Sequence, residues 1–130
     1  MIVDSSAVIA ILLRQPGHGR LIDRLAEASV VGIGAPTLAE TGIVLAARLG
    51  IAGKALLGRF LQEGGLTVVA FRAEHWPAAV DAFLRFGKGR HPAGLNFGDC
   101  LTYAVARLAD EPLLCLGDDF AQTDLELVAA

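Results

Sequence analysis

The stretch LNFGDCLTYAVARLADEPLLCLGDDF, Leu95 to Phe120, puts an aspartate where an apolar helix starts and two more directly after a run that reads as a buried strand. Within it, Leu101, Ala104, Val105 and Leu108 recur at i, i+3, i+4 and i+7, the spacing of one helix face. Pro112 then starts the turn into LLCL, an apolar run too short for a helix and bounded by turn residues. A helix leading into such a strand is the repeating unit of a parallel α/β sheet, so this stretch sets the expected fold class. Its acids have ordinary local readings: Asp99 as a helix cap, Asp118 and Asp119 as turn residues whose carboxylates bond nearby backbone.

Outward from this stretch the same alternation continues. MIVD reads as a first strand, and SSAVIAILL as a nearly all-apolar helix with Ser5 or Ser6 as its cap. Leu21, Ile22, Leu25 and Ala28 mark one face of a second helix, and VVGIG follows as a second strand. Pro36 suits the first turn of a third helix, where its missing N–H would have no intrahelical partner, and that helix runs to about Gly50. Leu56, Leu57, Phe60 and Leu61 give a fourth helix, LTVVA a third strand, and Trp76, Ala79, Val80 and Phe83 a fifth helix. GKGRHPAGLNFG, Gly87 to Gly98, carries four glycines and a proline and reads as a loop, while the tail TDLELVAA suggests an edge strand.

Composition bounds the rest. A chain of 130 residues, 54% of them hydrophobic, is long enough for one continuous core, so a single domain over 1–130 is expected. The longest apolar run, AVIAILL from Ala7 to Leu13, falls well short of the roughly 20 residues that span a bilayer, and a cytoplasmic location is expected. Cys100 and Cys115 suit reduced, buried side chains better than a disulfide framework. A formal net charge of −3 argues against nucleic-acid binding through overall positive charge, so any such contact must be local.

Ligands of open parallel sheets bind beyond the carboxyl ends of the strands, and here those positions are acidic. Asp4 follows the first strand, and Asp118 and Asp119 follow the fourth. Glu40 lies in the second turn of the helix after strand two, on the stripe of Ile43, Val44 and Ala47, with Thr37, Thr41 and Arg48 on the polar side; it is therefore expected to point inward. Two carboxylates about 4 Å apart repel by about 4 kcal/mol at an effective dielectric of about 20, so converging acids must take up protons or bind a cation. Hard divalent ions such as Mg²⁺ or Mn²⁺ select carboxylate oxygen and water, and a site built from oxygen alone suits phosphoryl chemistry.

At this point three segments, MIVDSSAVIAIL, APTLAETGIVLAARLG and LNFGDCLTYAVARLADEPLLCLGDDFAQTDL, resemble the PIN-domain ribonuclease toxins of the VapC type, over essentially the whole chain and in the usual order. The resemblance implies a three-layer α/β/α arrangement around a parallel sheet of four or five strands. It further implies the toxin of a type II toxin-antitoxin system, an endoribonuclease dependent on Mg²⁺ (with Mn²⁺ as substitute) that hydrolyses RNA phosphodiesters through a metal-activated water. Carried over by residue, the metal-binding and catalytic acids are Asp4, Glu40 and Asp99, with Ser6 supporting the first. The fourth acid lies between two neighbours, Asp119 preferred over Asp118, with Asp124 more distant. Ser5 stands where many relatives have threonine. A VapB-type antitoxin is the implied partner, and the few charges and many apolar helix positions separately suggest faces covered by another chain, as in a homodimer or a helix-in-groove complex.

For an acidic protein to hold RNA, basic groups must lie near the acids. Arg85, Lys88, Arg90 and His91, in or beside the glycine-rich loop before Asp99, are the candidates, although a solvated loop explains them too. With six Phe, one Trp and one Tyr, extensive base stacking is not expected. Two rival readings keep the same fold class. A Mg²⁺-dependent phosphatase or phosphoacceptor domain would need a lysine near a late strand, and the lysines are Lys54 and Lys88. A non-catalytic interaction module would use the acids only as caps.

Overall fold

The structure, a computed structural model, describes residues 1–129. Four short strands, β1 (Ile2–Val3), β2 (Gly32–Gly34), β3 (Thr67–Val69) and β4 (Leu113–Leu114), form one parallel sheet in the order β3-β2-β1-β4. Six helices connect and cover them: α1 (Ser5–Leu12), α2 (His18–Glu27), α3 (Ala35–Leu49), α4 (Ile51–Gly64), α5 (His75–Phe86) and α6 (Phe97–Ala109). Strand side chains alternate between the faces of a sheet. Ile2 and Leu113 accordingly join the cluster built by Ala82, Phe86, Tyr103, Ala104 and Val105 of α5 and α6. Val3 and Leu114 join the opposite one, built by Val8, Leu21, Leu45 and Leu57 of α1 to α4. The result is the expected three-layer α/β/α arrangement, in which each fully buried Val or Leu contributes about 1.5–3 kcal/mol.

The chain lays down β1, β2 and β3 in one direction and then returns to place β4 on the free side of β1. The order therefore reverses between β1 and β4, and the crevice outside their carboxyl ends is where such sheets bind ligands. Both strands end on named acids: Asp4 directly after β1, and Asp118 and Asp119 shortly after β4.

Several sequence expectations are corrected. The cap of α1 is Asp4, not Ser5 or Ser6, and its side chain accepts from the Ser6 N–H. Helix α6 begins at Phe97, two residues before Asp99, and its cap is Asn96. On α3 the expected faces are exchanged: Thr37, Thr41 and Leu45 are buried, whereas Ile43 is 70% exposed and Glu40 lies on the outer side. The reason is hydrogen bonding, because Thr41 Oγ1 donates to the Thr37 carbonyl and Thr37 Oγ1 pairs with Thr102, so both threonines bury as valines would. On α5 the buried side is His75, Ala79, Ala82 and Phe86, leaving Trp76, Val80 and Phe83 substantially exposed. The tail makes one parallel bridge, Leu113 to Leu127, rather than a strand, and Ala130 lies outside the described residues.

Candidate active site

Asp4 is 4% exposed, at the end of the central strand. Its Oδ2 accepts from the Ser6 backbone N–H at 3.1 Å and the Ser6 hydroxyl at 2.7 Å, while Oδ1 accepts from the Thr102 hydroxyl at 3.0 Å. Ser6 Oγ in turn accepts from the Leu116 N–H at 2.9 Å, which ties the chain leaving β4 to the chain leaving β1 across the crevice. The local reason for this arrangement is capping: an aspartate at the strand-to-helix junction satisfies an N–H that the first turn of α1 leaves without a partner.

Asp99 is the third residue of α6 and closes a capping box: its N–H donates to Asn96 Oδ1 at 2.9 Å, and the Asn96 N–H donates to its Oδ2 at 3.1 Å. Burial pushes its carboxyl up, to about 6 against an ordinary 3.8; the Asn96 backbone bond opposes this, and the charges of Asp4, Asp119 and Glu40 add to it. Burial and the charges of Asp4, Asp119 and Asp99 likewise raise the Cys115 thiol, to about 12. Asp4, Glu40 and Asp119, from other parts of the chain, thus lie near enough for their charges to act on Asp99.

Glu40 reaches the same place from α3. Its carboxylate lies against the Cα of Gly98, so close that a side chain on residue 98 would collide with it. Asp119 opens the single turn of 3-10 helix at Asp119–Gln122, and Asp118 precedes it without a side-chain capping bond. Of these neighbours, Asp119 is the one whose charge acts on Asp99 and Cys115. Asp124 stands apart, accepting from the Tyr103 hydroxyl at 2.6 Å and from Arg85 at 3.2 Å. Burial works to raise its carboxyl, but the Tyr103 bond and the Arg85 and Arg107 charges outweigh this and hold it below its usual value.

Among the described residues, no three His, Cys, Asp or Glu side chains close into a ready coordination shell. The ion pairs among those residues are Met1–Glu111, Arg24–Glu27, Arg59–Glu63 and Arg85–Asp124, and none uses Asp4, Glu40, Asp99 or Asp119. Mutually repelling carboxylates without a cationic side chain, all of them oxygen donors, fit a hard divalent ion.

The basic candidates are more engaged than the sequence implies. Arg85 pairs with Asp124 and lies 4.7 Å from the Phe86 ring centre; Arg90 donates to the Leu84 carbonyl; His91 Nδ1 accepts from the Ala93 N–H, with its ring edge-on to Phe86. Lys88 lines an apolar hollow beside Asn96 and Phe97. Phe97 is 80% exposed and separates that hollow from a second one bordered by Glu40 and Ile43. Sequence reasoning missed Thr37, Gly98 and Thr102. Their signal was position alone: Thr37 three residues before Glu40, and Gly98 and Thr102 one before and three after Asp99.

The PIN domain family model matches residues 1–126. Ribonuclease VapC36 of Mycobacterium tuberculosis is 52% identical over 97% of this chain and 91% of its own, and Ribonuclease VapC of Mycolicibacterium smegmatis is 39% identical over 98% and 99%. Among solved structures, Mycobacterium tuberculosis VapC20, described as a Sarcin-Ricin loop cleaving toxin, superposes with a TM-score of 0.80 at 20% identity, covering 99% of this chain and 98% of that one. VapBC2 from Rickettsia felis, bound to a DNA fragment from their promoter, gives 0.76 at 17% identity, covering 98% and 96%. With this sheet order and relatives at this identity over nearly the whole length, the chain belongs to the PIN domain family.

Proposed function

We propose that this protein is a metal-dependent endoribonuclease, the toxin of a type II toxin-antitoxin pair, and that Asp4, Glu40, Asp99 and Asp119 form its reacting centre. The observation that supports the reading is the carboxyl of Asp99, raised first by burial and then by the charges of Asp4, Asp119 and Glu40, which come from three other segments of the chain. The named ribonuclease activity of the relative at 52% identity supports it. Mg²⁺ or Mn²⁺ is the ion these donors suit, with Asp118 the less favoured fourth ligand. When bound, such an ion supplies positive charge against the scissile phosphate and makes water acidic enough to attack at neutral pH. The protein's own contribution is orientation: Ser6 and Thr102 fix both oxygens of Asp4, Asn96 fixes one of Asp99, and Gly98 leaves room for Glu40.

Lys88 and Arg90, with Arg85 and His91 behind them, edge the RNA path on the α5–α6 side, where local positive charge offsets the net −3. The partners are a VapB-type antitoxin and a second copy of the chain. Supporting this are the toxin-antitoxin complexes among the similar structures and the exposed Ile43 and Phe97. No helix among the described residues is long and apolar enough to cross a membrane. Cleavage of a panel of structured RNAs by wild-type and Asp99→Asn protein, in Mg²⁺, Mn²⁺ or EDTA, tests the reading. Metal-dependent cuts lost in the variant are expected; identical cutting by both proteins refutes the assignment.

The capping roles of Asp4 and Asp99 also favour a second reading, a non-catalytic PIN module. That reading predicts weak, non-saturating Mn²⁺ binding by the wild-type protein.

A further inference from the structure

We propose that Thr102, backed by Thr37, is a positioning residue for the acid set, an inference that rests on the function proposed above. Asp4 receives its local donors from Ser6, on Oδ2, and its one remote donor from Thr102, on Oδ1. The Thr102 and Thr37 hydroxyls are 2.9 Å apart, and geometry alone leaves the direction of that bond open. Chemistry closes it. A hydroxyl has one proton, and that of Thr102 is donated to Asp4 Oδ1, so Thr102 must accept from Thr37. The order is Thr37 to Thr102 to Asp4.

All three side chains are nearly closed to water, at 3%, 1% and 4% exposure, so solvent is poorly placed to replace a missing member. Thr37 lies one turn before Glu40 on α3, and Thr102 one turn after Asp99 on α6. The chain of hydroxyls thus links the carboxylate at the end of β1 to the two helices that carry the other acids, and fixes how α3 and α6 sit about it. Partners of this kind, which hold a ligating carboxylate without touching the ion, change metal affinity or activity about 10- to 100-fold when removed.

A purely structural role is separable from this one. Thr102→Val keeps the branched shape and removes the donor to Asp4, but leaves the buried Thr37 proton without its acceptor, which costs stability. The double variant Thr37→Val with Thr102→Val removes the stranded Thr37 proton as well, so that Asp4 Oδ1 is the one group left without its partner. Thr102→Ser keeps the hydroxyl and loses only the methyl.

The test measures Mn²⁺ binding to RNA-free protein by electron paramagnetic resonance, kcat and KM for a cleaved RNA, and thermal melting. Thr102→Val and the double variant are each expected to bind Mn²⁺ about tenfold more weakly and to lose about tenfold in kcat with KM little changed. The double variant should melt above Thr102→Val but below wild type, because Asp4 Oδ1 still lacks its donor, and Thr102→Ser should recover most of the lost affinity. Wild-type Mn²⁺ affinity and kcat in both valine variants overturns the proposal, as does a serine variant as impaired as the valine one. If the variants match a wild type that binds Mn²⁺ and cuts RNA, only the positioning role falls; if the wild type binds no Mn²⁺, the nuclease reading falls with it.

Discussion

Gly98→Ala is a small change that should separate folding from chemistry. A methyl on residue 98 would stand 3.0 Å from Glu40 Cδ and 3.1 Å from Oε1, with Oε2 closer still. Ordinary contact begins at about 3.5 Å, so the carboxylate must retreat by about 1 Å. It has the freedom to do so, because Glu40 lies on the outer side of α3 and ends a flexible side chain. Adopting a less favourable rotamer costs about 0.5–1.5 kcal/mol, and alanine in a helix regains up to about 1 kcal/mol over glycine. The melting temperature should therefore stay within about 5 °C of wild type. Activity should not, since a displacement of about 1 Å at a reacting centre costs about 100-fold. Single-turnover cleavage with saturating Mn²⁺, set beside a melting curve, reads both quantities. Cleavage within about threefold of wild type would refute the assignment of Glu40 to the reacting centre. A fall in melting temperature above about 10 °C would show instead that the helix, not the carboxylate, had moved.

Asp99→Asn makes a prediction about pH. In the folded protein this carboxyl sits at about 6 against 3.8, so the folded state holds the proton more tightly. Its contribution to stability is accordingly greatest below about pH 4 and is lost as pH rises to about 6. In EDTA, urea melts of the wild type should weaken relative to Asp99→Asn across that window and run parallel above it; a constant difference from pH 4 to 7 would contradict the burial of Asp99 beside other acids. Gly53→Ala tests packing far from the acids, because a methyl there meets the backbone carbonyl of Leu45 and neither α3 nor α4 can yield at a side-chain tip. A loss of about 1–3 kcal/mol in urea denaturation is expected, with the activity of the folded fraction unchanged.

The strands, the α/β alternation and the acids at strand ends were all legible in the sequence, because each is a local signal: an apolar run, a turn residue, a charge at a boundary. The face of α3 was not. Periodicity ranks Ile43 above Thr41 for burial, yet Thr41 and Thr37 are inside because their hydroxyls find partners, one of them 65 residues away on α6. No window of sequence contains that partner. The consequence is instructive for Glu40, which was expected inward with the Ile43 stripe and instead reaches the acids along the outer side of α3, over the one residue of α6 without a side chain to obstruct it. Asp99 is a mixed case: the cap is Asn96, with Asp99 closing the capping box from the third position of α6, and burial together with the charges of Asp4, Asp119 and Glu40 acts on the same carboxyl. Asp118 and Asp119 are distinguished only by the turn after β4, where Asp119 opens the 3-10 helix and Asp118 precedes it, a difference that two adjacent identical residues cannot reveal by themselves.

The sheet order has one more consequence, for the cell that makes the protein. Because β4 inserts beside β1, the crevice has only one wall until the last quarter of the chain has left the ribosome, and Asp119 arrives later still. A growing polypeptide, or one cut short before that point, therefore lacks one wall of the crevice and the acid that follows it. The site is thus a property of the finished chain, and completing it is among the last events of synthesis.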